Sequence, residues 1–315
     1  MSASWSRPIS SRKNIHVTTN GDPEIHGLVN SMGSSTLKVA RLVLYLAWTL
    51  ALMPAQWIGL ALGCRWVGTL PTFYHRWCCR LLGFQVRTIG QPTTRRPVLF
   101  AANHVSYTDV TILGSLIAGS FIAKSEVAHW PFFGWLARLQ RTIFVDRRIR
   151  STASQRDEIF QRFAAGDALI LFPEGTSGDG NRILPFKSAL FGAAAQRGRI
   201  EPVVVQPVSL AYTRLDGIPI GRAYRPFVAW YGAMDLLSHL WGMIGLGTVE
   251  VVVQFHPPTL LTDCGSRKAL AGYCFARVAG GMAGALFGRP QPLPMPPASS
   301  ARDECLAEIT SKAAA

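Results

Sequence analysis

The chain is poor in charge, and poorest in acid. Only 16% of its 315 residues are charged, and 18 acidic residues stand against 32 basic ones, a net charge of +14. With 49% hydrophobic residues it has material for a sizeable core, which excludes a solvated, disordered class. No C-x-x-C pair occurs among its six cysteines, Cys64, Cys78, Cys79, Cys264, Cys274 and Cys305, so a zinc site has no support. No G-x-S-x-G occurs, which removes the strand-turn-helix elbow of a serine hydrolase. No G-x-G-x-x-G follows an apolar run, so a dinucleotide fold is not indicated. Zinc-finger and RRM-type signatures are also missing, and nucleic acid is not an expected partner despite the basic charge. The expectation is a chain without metal or cofactor, and it shows no internal repeats.

What is present is unevenly placed. Residues 1–100 carry eleven Lys and Arg against two acidic residues. A basic segment of this kind suits an anionic membrane surface, and its neighbour supports that. From 42 to 63 the chain reads LVLYLAWTLALMPAQWIGLALG, without a charge, between Arg41 and Arg65. That is long enough to cross a hydrocarbon layer, and Trp48, Trp57 and Trp66 suit its interfaces. Pro54 sits inside the run, so a straight span and a kinked or re-entrant pair of short helices both fit. No small-residue cleavage site follows it, which argues against a cleaved signal peptide. The expected organisation is a disordered arm over 1–35 and a membrane-associated helical anchor over 36–83. A catalytic domain follows over 84–288, then a disordered Pro-rich tail over 289–315.

Within 84–288 short apolar runs alternate with helical patterns. Strands are expected at 84–89, 98–102, 121–124, 142–145, 168–172, 203–210 and 249–255. Helices are expected at 109–117, 131–139, 152–163 and 188–196. This implies an α/β fold, a mixed and partly parallel sheet flanked by helices, behind an N-terminal membrane-anchoring helical segment. A second apolar stretch, 227–247, is interrupted by Asp235 and His239. It reads as an amphipathic helix lying against the membrane or over the site.

Two strand ends carry the chemistry. The first opens into Asn103-His104-Val105-Ser106-Tyr107-Thr108-Asp109. A histidine accepts a proton near neutral pH, and a carboxylate fixes its tautomer and steadies the imidazolium. Asn103 and Ser106 are placed to fix that loop. By spacing alone, His104 as a polar loop residue with Asp109 as a helix cap is the better explanation, and the second strand end shifts that balance. The second opens into Phe172-Pro173-Glu174-Gly175-Thr176, which offers backbone amides, a hydroxyl and a carboxylate.

In this order, His104-x4-Asp109, Phe144-Val145-Asp146-Arg147, Phe172-Pro173-Glu174-Gly175-Thr176 and the 203–208 run Val-Val-Val-Gln-Pro-Val resemble the four motif blocks of the glycerolipid (1-acylglycerol-3-phosphate type) acyltransferases. The resemblance covers about 84–257. It implies His104 as general base with Asp109 in support, and no acyl-enzyme. Acceptor binding then falls to Arg147, Glu174, Gly175 and Thr176, with Arg182 and Lys187 as further cations, and Pro207 belongs to the fourth block. The implied partners are an acyl-CoA or acyl-carrier-protein donor and a lysolipid acceptor. The implied location is the cytoplasmic face of the inner membrane. The family commonly follows Glu-Gly-Thr with arginine, a fork suited to phosphate; here the residue is Ser177, followed by Gly178-Asp179-Gly180-Asn181-Arg182. The family's common acceptor, lysophosphatidate, is the leading expectation. The Gly-Thr-Ser-Gly-Asp-Gly-Asn-Arg version also resembles the branch that acylates lyso-ornithine lipid, which stands as the alternative.

Overall fold

Val98 to Ala102 has no polar side chain on either face, and such a strand is stable only between two covering layers. A computed structural model of the chain, describing residues 33–146, 153–195 and 202–288, places it there. The strands are β1 (Phe84–Ile89), β2 (Val98–Ala102), β3 (Ser120–Lys124), β4 (Ile143–Val145), β5 (Ala168–Leu171), β6 (Val204–Leu215), β7 (Ile218–Pro219), β8 (Val249–Phe255) and β9 (Thr259–Leu260). The main path runs β1-β8-β6-β2-β5-β3-β4, with β7 and β9 pairing to β6. Strands β6, β2, β5, β3 and β4 are mutually parallel. Strand β8 is antiparallel to β6, and β1 follows it in parallel. The fold is the mixed α/β class expected.

Alternation along β2 divides the core. Val98, Phe100 and Ala102 pack with Ile112, Leu113, Phe121, Val208 and Phe255 on one face. Leu99 and Ala101 pack with Phe163, Leu169, Phe191, Leu270 and Cys274 on the other. The helices are α1 (Ser35–Ala61), α2 (Leu70–Leu82), α3 (Thr108–Leu116), α4 (Phe133–Leu139), α5 (Ala153–Ala164), α6 (Leu236–Met243), α7 (Leu261–Cys264) and α8 (Arg267–Leu286). Residues of α2, α3 and α6 cover the first face, and residues of α5 and α8 cover the second.

Several expectations change. The helix at 131–139 starts at Phe133, because Phe132 takes a left-handed φ of 64° that no helix continues. Residues Ser188–Ala195 form 3₁₀ turns rather than an α-helix. Strand β6 runs to Leu215, five residues beyond the expected end, because β8 pairs with it along that length. Over 227–247 the helix is only Leu236–Met243, started by Asp235, whose carboxylate accepts the Ser238 amide. Helix α8 was not expected at all, although Leu270, Cys274, Val278 and Met282 recur every four residues and are buried. Neither 1–32 nor 289–315 lies within the described residues.

The run 42–63 forms neither a hairpin nor a break: α1 continues through Pro54. Its two ends are tied to the domain. Arg41 donates to the carbonyls of Ile244, Leu246 and Gly247, and Gln56 Nε2 donates to those of Val67 and Leu139. Fifteen residues at 1.5 Å rise, about 22 Å of helix, are thereby held along the protein.

Candidate active site

β2 and β5 are parallel neighbours, with Ala101 opposite Leu171, so the loops that follow them leave the same sheet edge side by side. The two loops are joined directly: the Gly178 amide donates to the His104 carbonyl at 2.9 Å. Asn103 fixes the start of the first loop. Its side chain donates to the Leu210 carbonyl at 2.9 Å and accepts the Leu210 amide at 2.8 Å, a link to β6 rather than the local bond expected.

His104 Nδ1 lies 2.8 Å from Asp109 Oδ2. That oxygen also accepts the amides of Val105 at 2.6 Å and Ser106 at 2.9 Å. Oδ1 accepts the Tyr212 hydroxyl at 2.7 Å. Asp109 is fully buried, and its carboxylate makes none of these bonds to its own helix, so the simple helix-cap reading fails. Burial pushes the Tyr212 hydroxyl well above its usual pKa, which keeps it a donor. The His104 side chain is 20% exposed, and its ring stacks on Phe172 with centroids 4.1 Å apart. Nε2 makes no hydrogen bond among the described residues. With Nδ1 committed to the carboxylate, Nε2 is the nitrogen that can take a proton.

Glu174 is the second buried carboxylate. Oε1 accepts the His104 amide and Oε2 the Leu184 amide, both at 2.7 Å. Desolvation raises its pKa to about 7; the two amides pull it down and the Asp109 charge pushes it up. Glu174 therefore holds the histidine's own backbone instead of facing solvent, where its neighbour Thr176 lies exposed. Gly175 has φ of 70°, and a side chain there would come within 2.9 Å of Lys187 Nζ. Lys187 is thus brought onto this loop, with its ammonium outside every ion pair of the described residues. Arg182 is exposed and makes no side-chain bond there. Ser106 keeps a buried hydroxyl without a partner among the described residues. Pro207 sits inside β6 opposite Ala101. Arg147 lies outside the described residues.

Against the Tyr107–Thr108 end of this loop lies an apolar cavity of about 510 Å³. Tyr107 and Thr108 of the catalytic loop line it, with Leu46 and Met53 of α1, Thr111 of α3, Ala123 of β3 and Leu240 of α6. Tyr107 donates or accepts at 3.1 Å with His239, tying α6 to that loop. Tyr212, Tyr107 and His239 were not foreseen as site residues. Tyr212 is 103 positions from Asp109, and only the alternation Val208, Leu210, Tyr212 along β6 pointed to that face. Among the described residues no three His, Cys, Asp or Glu side chains gather as a metal site.

A buried carboxylate bonded to a partly exposed histidine, on a loop that also lines an apolar cavity, is the central feature of this site. The chain belongs to the acyltransferase family, whose model, described as "Acyltransferase", matches residues 84–211. It is 46% identical to the lyso-ornithine lipid O-acyltransferase of Brucella abortus over 250 residues, 78% of this chain and 94% of that protein. Its identity to the Rhizobium meliloti protein of the same name is also 46%, over 66% of this chain and 72% of the relative. A 1-acyl-sn-glycerol-3-phosphate acyltransferase of Neisseria gonorrhoeae is 31% identical over 53% of this chain and 63% of its own length. The fold matches the crystal structure of the 1-acyl-sn-glycerophosphate (LPA) acyltransferase PlsC from Thermotoga maritima. The TM-score is 0.55 at 23% identity, covering 78% of this chain and 96% of that one.

Proposed function

We propose that this acyltransferase esterifies the free hydroxyl of a lyso-ornithine lipid, using a cytoplasmic acyl-CoA or acyl-carrier-protein thioester, while lying on an anionic membrane surface. The observation that carries the chemistry is the His104–Asp109 pair with Nε2 left open. Nε2 removes the hydroxyl proton as the oxygen attacks the thioester carbonyl. The C–O bond forms, the C–S bond breaks, and the departing thiolate recovers the proton from His104. No side chain is acylated in this scheme. The cavity takes an acyl chain, and its neutral, apolar wall favours hydrocarbon over head group.

The acceptor reading departs from the leading expectation of lysophosphatidate. It is supported by the 46% identity to two proteins named for lyso-ornithine lipid, and by Ser177 where arginine would grip a phosphate. Lysophosphatidate is the second reading, favoured by Lys187 over Gly175. The test is direct. Purified protein in mixed micelles is given each lysolipid with acyl-CoA or acyl carrier protein. Lyso-ornithine lipid should be acylated faster, and His104→Ala should lose about a thousandfold in kcat with its melting temperature retained. An active His104→Ala protein would remove the base mechanism.

The anchor reading is monotopic. Val43, Leu50 and Trp57, seven residues apart on α1, are 57%, 60% and 66% exposed. The bonds of Arg41 and Gln56 to the domain support a helix lying along the protein with that stripe entering one leaflet, although α1 is also long and apolar enough to span a bilayer.

A further inference from the structure

We propose that Asp179 and Arg225 form a split-charge cradle for a zwitterionic amino-acid head group, Arg225 taking its carboxylate and Asp179 its ammonium. The inference rests on the amino-acid-lipid reading above and assigns residues to it.

Both groups stand next to the catalytic loop. Asp179 follows Gly178, whose amide holds the His104 carbonyl. Gly180 has φ of 73°, and a side chain there would lie 3.2 Å from Val105 Cγ1 and 3.7 Å from Arg225 Cβ. The Trp230 amide donates to the Val105 carbonyl at 3.0 Å, so the segment carrying Arg225 also borders that loop.

The two charges are close enough to influence each other, yet form no ion pair among the described residues. Asn181 stands between them. Its amide donates to Asp179 Oδ1 at 3.0 Å, its Nδ2 to Oδ2 at 3.3 Å, and its Oδ1 accepts Arg225 Nη1 at 2.9 Å. A carboxylate and guanidinium this near would ordinarily pair as a fork. One neutral amide instead holds both and keeps them apart. Arg225 Nε is buried without a partner among the described residues, leaving that guanidinium short of acceptors.

Ornithine acylated on its α-nitrogen carries a free carboxylate and a side-chain ammonium three methylenes away. Asp179 as the anion and Arg225, with Arg222 nearby, as the cationic side match these two groups. A phosphate monoester would meet Asp179 as a like charge and find Ser177 neutral, so the same residues select against it.

The experiment compares wild type, Asp179→Asn and Arg225→Gln on three acceptors. These are lyso-ornithine lipid, its norvaline analogue lacking the ammonium, and its carboxamide analogue lacking the carboxylate. Asp179→Asn should lower kcat/KM on lyso-ornithine lipid about tenfold or more, and the loss should vanish on the norvaline analogue. Arg225→Gln should show the same pattern with the carboxamide analogue; if it does not fold, Asp179→Asn decides. Equal losses on parent and analogue would overturn the cradle and leave the acceptor reading standing. A wild-type enzyme that acylates lysophosphatidate but not lyso-ornithine lipid would overturn both.

Discussion

The fully buried Asp109 accepts four hydrogen bonds, and replacing one oxygen changes two properties together. Asp109→Asn turns an acceptor into a donor facing the Val105 and Ser106 amides or the Tyr212 hydroxyl. It should cost about 1–3 kcal/mol of stability, read from urea unfolding. It should also lower kcat by about a hundredfold or more, because the His104 tautomer is no longer fixed. Glu174 gives a pH signature. Its native pKa of about 7 exceeds the usual 4.5, so the folded protein holds this proton more tightly than the unfolded chain. Its favourable contribution is full below about pH 4.5 and is lost as pH rises to about 7. Between pH 5 and 8, wild type should therefore lose stability relative to Glu174→Gln, on the order of 3 kcal/mol across the full window. A difference between the two proteins that stays flat with pH would contradict the desolvated carboxylate. Ser177→Arg should raise the rate on lysophosphatidate relative to lyso-ornithine lipid, in the same micelle assay.

At the scale of elements, the parallel pairing of β2 with β5 makes one site from two loops seventy residues apart. The cavity beside it is assembled from α1, α2, α3, β3, α4 and α6, none of which encloses it alone. Ala123, a small residue in that wall, offers a way to shorten it. Ala123→Phe should move the preferred acyl donor toward shorter chains, measured as relative kcat/KM across a thioester series, with rates on the shortest donor preserved. Within 227–247 the helix is shorter than the amphipathic pattern implied, and its Leu236 and Leu240 line the cavity. Asp235 and His239 are not interruptions of a span: one caps α6 and the other meets Tyr107.

For the whole molecule, the proposed attachment to one leaflet rests on the exposed stripe on α1. Serine at Val43, Leu50 and Trp57 together should weaken binding to anionic vesicles at least about tenfold in sedimentation. The melting temperature should stay near that of wild type, because these side chains face outward.

The sequence by itself determined the sheet-forming runs, the class of fold and the candidate His104–Asp109 pair, because these rest on local patterns: alternation, loop residues after a strand, and a histidine five positions before an aspartate. It also marked the acceptor question, through one residue, Ser177. Tertiary structure decided what depends on distant partners. It showed that Asp109 is held by Tyr212 from β6, that Glu174 grips the His104 backbone, and that α1 is continuous and tied at both ends. It alone brought Asp179, Asn181 and Arg225 together. The physical reason is common to all of these. A hydrogen bond between groups a hundred residues apart leaves no period or spacing in the chain, and only the packing of strands brings its two ends within reach.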